Sequence, residues 1–193
     1  MPLCRTLTKS VCSAPTGQFR SGKSRRRSSS PIGDGARLNK VSTLLTRELE
    51  RTRDETLRCF SLDHRDLART YAPGKWSVSY ILHHLSDNET VFFDRIRRVL
   101  SEPRPVLWVM DQDAWAKGLD YSRVPLELSR QVYESVRNAI IYYAGVHHER
   151  SGHLEFVHSV DGVRTLRDEF DKVAAHNEHH LSQIRLALGR PAA

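Results

Sequence analysis

The sequence predicts an all-α protein, a four-helix bundle. Apolar residues recur with a helical period in four long stretches of the 193-residue chain, and no second apolar pattern competes with them. A third observation bears on chemistry. The last of these stretches contains His176-Asn177-Glu178-His179-His180. Residues four apart on a helix are separated by about 40° of rotation and about 6 Å of rise, so His176 and His180 can reach one point. Two converging imidazoles are half of a metal site.

Residues 1–36 have no hydrophobic period and are rich in Ser, Arg, Gly and Pro, the composition of a disordered tail. The run Arg25-Arg26-Arg27-Ser28-Ser29-Ser30 suits a phosphate-binding or targeting address, and a solvated extension accounts for it more simply. No apolar core of a secretory signal is present. The folded part spans 37–190. Its first helix is expected over 37–59, with Leu38, Val41, Leu44, Leu45, Leu49 and Thr52 on one face. Pro73 and Gly74 then break the chain. Ser77 suits an N-cap for a second helix over 78–101, which stops before Pro103. A long connection, 102–124, contains Trp108 and Trp115. The third helix is placed over 126–149, with Leu128, Val132, Val136, Ile140 and Tyr143 as its stripe. Leu154 to Val160 is expected to be extended. Thr165 caps the fourth helix, 166–188, which ends at Gly189 and Pro191.

The formal net charge of +7 suggests nucleic acid until it is located. Residues 1–36 hold seven basic residues against Asp34 alone, whereas the remainder carries 23 basic and 22 acidic. The nearly neutral folded part argues against nucleic-acid binding through it. No apolar run approaches the roughly 18–20 residues that span a bilayer, which predicts a soluble protein with no membrane contact. Cys4, Cys12 and Cys59 show no paired spacing, as expected of a reducing, cytoplasmic setting.

Helical-wheel geometry sorts the histidines. With Leu166 at zero, His180 falls about 40° and His176 about 80° to the same side, on the shoulder of the buried face, and His179 about 140° away, toward solvent. With Val78 at zero, His84 lies about 120° round, with Asn88 and Arg95 along the same line, and His83 lies on the other side. His84 is therefore the better third ligand. Glu178 stands about 160° from His180, so a zincin-type general base is not available from it. Glu89 falls inside the apolar stripe of its helix. A carboxylate there must be paired or protonated, either behind a ligand imidazole or in a bridge to a Lys, an Arg or a backbone amide.

Pro73-Gly74-Lys75-Trp76-Ser77, followed by Ile81-Leu82-His83-His84-Leu85-Ser86-Asp87 and Glu89, resembles the second helix of the DinB/YfiT-like superfamily. Asp111-Gln112-Asp113-Ala114-Trp115 resembles the DxDxW element of its long connection. Thr165-Leu166-Arg167-Asp168, then His176 to Ile184, resembles its last helix. The three motifs stand in order at matching separations over nearly the whole folded part. The resemblance implies a four-helix bundle with a long crossover. It also implies a divalent metal, nickel or zinc, held by His84, His176 and His180, and a thiol-dependent S-transferase or isomerase activity.

In that activity the metal would hold a low-molecular-weight thiol as its thiolate, which attacks an electrophilic second substrate. Arg95 and Asn88 would hold polar groups of the thiol, and Glu89 and Gln183 would stand behind the ligands. The catalytic residues are left unassigned, and a homodimer is expected. Metal-dependent hydrolysis, and a non-catalytic metal- or small-molecule-binding bundle, are the alternatives.

Overall fold

The computed structural model describes residues 34–190, with side chains from residue 43 onward. Most of the stretch read as a basic tail lies outside the described residues. In chain order the elements are α1 (Asp34–Phe60), α2 (His64–Leu67), α3 (Val78–Ser101), β1 (Val106–Leu107), α4 (Gln112–Gly118), α5 (Leu126–His147), β2 (Glu155–His158), β3 (Gly162–Thr165) and α6 (Leu166–Ala187). The four long helices match those expected from the sequence to within three residues at each end.

Their starts are fixed by capping. Ser77 accepts a hydrogen bond from the Tyr80 N–H and opens α3. Thr165 and Asp168 form a reciprocal capping box that opens α6, and Gly189, at φ +69°, follows its end. These two helices carry His84, His176 and His180.

α1 packs against α5 and α6, and α3 packs against the same two. The order round the bundle is therefore α1, α5, α3, α6. The long helices α1 and α3, which follow one another along the chain, are diagonal, as are α5 and α6. The connection 102–124 contributes β1 and α4. β1 pairs in parallel with β2, and β2 pairs antiparallel with β3 in the register Glu155–Thr165 to His158–Gly162. Leu107 and Phe156 turn inward from this small sheet to cover the core. Among the described residues no helix is long and apolar enough to cross a membrane.

The core is split in two. One apolar cluster includes Leu49, Phe92, Ile96, Ile140 and Phe170. The other includes Phe60, Val78, Leu82, Tyr133 and Ile184. Fully burying one such side chain stabilises the fold by about 1.5–3 kcal/mol. Each of the four long helices also contributes buried polar residues: Thr52 and Thr56, His84 and Glu89, Arg137, Asn177 and His180.

The third helix corrects the sequence expectation. Its fully buried column is Ser129, Tyr133, Arg137, Ile140 and Ala144. Of the expected stripe Ile140 is buried, Val136 and Tyr143 pack half-buried against the core, and Leu128 is exposed. The buried column lies to one side of that stripe because an arginine and a serine occupy inward positions that hydropathy assigns to solvent.

Candidate metal centre

The polar layer brings three imidazoles together. His84 lies in the second turn of α3, and His176 and His180 lie one turn apart on α6. His176 Nε2 is 3.3 Å from His84 Nε2 and 3.2 Å from His180 Nε2. One ligand nitrogen from each lies within 4.8 Å of the others, and among the described residues this is the group able to hold a metal ion. Tetrahedral ligands at about 2.0–2.1 Å from zinc stand about 3.3–3.4 Å apart, so the spacing fits a divalent cation.

The electrostatics fit as well. Burial, with smaller contributions from neighbouring imidazoles, pushes the histidines below their ordinary range, His84 to about 3, His176 to about 2 and His180 to about 4. All three are neutral near pH 7 and have lone pairs to offer. The surrounding contacts set their orientation. His180 Nδ1–H donates to Gln183 Oε1 at 2.8 Å, which leaves the Nε2 lone pair free to ligate. Asn88 Nδ2 lies 3.0 and 3.1 Å from the two ring nitrogens of His84. Trp76 meets His84 edge to face at 5.1 Å, and Phe92 meets His176 at 5.5 Å. A cavity of about 460 Å³ opens beside the cluster, lined by His176, His179, His180, Gln183, Tyr71, Gly74, Lys75, Trp76, Gln112 and Asp113.

The residues singled out from the sequence fare differently. His84, His176 and His180 converge. His179 is exposed at the cavity wall. Glu178 faces away and pairs with Arg51 and Arg185. Gln183 contacts His180 rather than His176. Asn88 lies against the His84 imidazole.

Arg95 is not at the site. It lies eleven residues beyond His84, about 16 Å along the helix. Its guanidinium donates to Glu169 at 3.2 Å and to the Trp108 carbonyl at 2.5 Å, so it anchors the connection that leads to α4.

Glu89 does not stand behind an imidazole. Both its oxygens accept from Arg137, through Nε at 2.8 Å and through Nη2. It forms the arginine bridge that the sequence left open as its other reading. Arg137 also donates to Asn177 Oδ1 at 2.5 Å and to Thr52 at 3.2 Å, and Tyr133 donates to Asn177 at 2.6 Å. Asn177 donates to Thr56 at 3.0 Å, which ties all four helices together next to His176. Sequence reasoning missed Arg137 and Asn177. The one available signal was Glu89, which required a cation opposite it.

The DinB superfamily model matches residues 48–184, a span that holds all three histidines. A protein of Oceanobacillus iheyensis, named as a candidate metal-dependent hydrolase, is 30% identical over 128 residues, 66% of this chain and 73% of its own. A similarly named protein of Halalkalibacterium halodurans is 28% identical over 130 residues, 67% of this chain and 75% of its own. Among solved structures, YfiT from Bacillus subtilis is described as "a probable metal-dependent hydrolase with an unusual four-helix bundle topology". It is similar with a TM-score of 0.62 at 19% identity, covering 88% of this chain and 94% of that one, a likeness of fold.

Proposed function

This chain belongs to the DinB superfamily, and from that membership we propose that it is a metal-dependent hydrolase whose three-histidine cluster holds a divalent cation, zinc or nickel, with coordination left open toward the cavity. The observation that carries this reading is the convergence of the Nε2 atoms of His84, His176 and His180. When bound, such a cation supplies Lewis-acid polarisation and lowers the pKa of a bound nucleophile. Neutral imidazoles suit zinc and nickel.

The protein's own groups have separate tasks. The three histidines hold the cation. Gln183 fixes the tautomer of His180. Trp76 and Phe92 shield the flanks of His84 and His176. Asp113 is the one carboxylate lining the cavity, and it is the group to take the proton that water loses as it attacks. Hydrolysis also agrees with how the curated relatives are named.

One observation favours thiol S-transfer as a second reading. Among the described residues no carboxylate bonds to any of the three histidines or joins them as a possible ligand. Hydrolysis therefore relies on Asp113, a wall residue outside the cluster, as its proton acceptor, whereas a thiol of ordinary pKa near 8.5 is held as thiolate by a cation alone. The proposal also takes the protein as a cytoplasmic homodimer. The free Cys59 is in keeping with a reducing compartment. Light scattering at twice the 22.1 kDa chain mass would support the dimer, and the monomer mass would overturn it.

The test compares the metal-free protein with zinc- and nickel-loaded samples. One assay follows hydrolysis of p-nitrophenyl acetate, and the other follows conjugation of thiols to 1-chloro-2,4-dinitrobenzene. Metal-dependent ester turnover that is lost in His176→Ala supports hydrolysis. Metal-dependent conjugation without ester turnover supports the transferase. Full metal occupancy with neither reaction overturns both and leaves a metal-binding bundle.

A further inference from the structure

The turn that precedes α3 is built to present a lysine to the histidine cavity. In Ala72-Pro73-Gly74-Lys75 the Lys75 N–H donates to the Ala72 carbonyl at 3.2 Å. Proline at the second position and a glycine at φ +71° at the third are the requirements of a type II turn. A Thr70–Ser77 bridge and a 2.9 Å hydrogen bond from the Val78 N–H to the Arg69 carbonyl close the base of the loop. The next residue, Trp76, rests against His84. Lys75 is thus anchored one residue from a side chain that touches a ligand imidazole, and it lines the same cavity as His176 and His180.

Among the described residues the Lys75 ammonium pairs with no carboxylate, although most arginines of the bundle do. Asp113 is the single opposing charge on the cavity wall. A bound dication together with Lys75 outweighs it, so the loaded cavity is net positive. We propose that Lys75 is a specificity-determining residue: it selects substrates that carry a carboxylate, which it seats while the reacting group faces the histidines. Phosphate fits less well. A lysine meets an anion as a point charge, and with no arginine lining this cavity its single charge is matched by a carboxylate monoanion rather than by a phosphate dianion. The inference rests on the open metal centre proposed above.

The test uses cobalt-loaded full-length protein and three metal-anchoring probes that differ only in charge. These are propionohydroxamate, its carboxylate analogue succinohydroxamate, and the ammonium analogue β-alanine hydroxamate. Binding is read from the visible spectrum of the cobalt, and metal content and Tm are checked for each variant. In the wild type the carboxylate probe should bind about tenfold more tightly than the neutral one, the size of one charge-assisted hydrogen bond, with the ammonium probe weakest. Lys75→Met should bring the first two within about twofold while the neutral probe's affinity holds. Equal affinities in the wild type, or a carboxylate preference that survives in Lys75→Met, would overturn the assignment. A spectrum that responds to none of the three, in metal-replete protein, overturns the open site itself and the assignment with it.

Discussion

Gln183 holds His180 by its inner nitrogen: the amide oxygen accepts from Nδ1–H at 2.8 Å, and Nε2 is left 3.2 Å from His176 Nε2. The glutamine acts on the cluster without belonging to it. Replacing it with leucine should leave the helix intact and weaken metal binding by about 10- to 100-fold, the usual effect of losing such a partner. Gln183→Glu keeps the acceptor and should restore most of the affinity. Competition titration against a chromophoric chelator checks both variants. Equal losses in the two would show that the hydrogen bond is not what matters.

Arg137 and Glu89 form a buried pair that connects the histidine layer to α5. Arg137→Met leaves the Glu89 carboxylate without its cation and should destabilise the protein by about 3–5 kcal/mol. Adding Glu89→Met should recover most of that, because the cost lies in the orphaned charge rather than in the lost attraction. Urea denaturation of the two variants measures the difference.

The depressed histidines make stability depend on pH. In the unfolded chain each imidazole titrates near 6.5. In the fold His84, His176 and His180 stay neutral down to about 3, 2 and 4. Between about pH 6.5 and about pH 4 the unfolded state therefore binds more protons, and the metal-free protein loses stability as pH falls. Above that window these groups contribute no slope. With up to three protons involved, the slope approaches about 4 kcal/mol per pH unit near pH 5. Urea midpoints in the presence of a chelator should show a much steeper slope in the wild type than in a variant with all three histidines replaced by alanine, which keeps only the contribution of other buried groups such as His83 and His158. Parallel profiles would contradict it.

Thr165 offers a contrast. Its side chain and that of Asp168 satisfy the first N–H groups of α6, eleven residues before His176. Thr165→Ala should cost about 1 kcal/mol in urea denaturation. Metal affinity in the folded protein should not change, since the cap holds the helix end and not the imidazoles.

Much of this was legible in the sequence, for physical reasons. Burying one face of a long helix imposes a 3.6-residue period, and Ser77 and Thr165 show where two of those helices begin. β1 has two residues and α4 has seven, too few for a period to appear. The helical wheel put His176 and His180 on one shoulder of their helix and favoured His84 over His83, and the resemblance to the DinB/YfiT-like superfamily implied the same three. Arg95 was misplaced because a helical wheel measures rotation and ignores height. The inward face of α5 was misread because Arg137 is buried only by virtue of Glu89, and no local pattern on one helix reports a partner on another.

The central claim is that His84, His176 and His180 together hold one divalent cation. Elemental analysis of the purified protein, beside the three single alanine variants, tests it most directly. About one zinc or nickel per chain in the wild type, and a small fraction of that in each variant with the fold retained by circular dichroism, is the result expected of a three-ligand site. Unchanged metal content in the folded variants would contradict it.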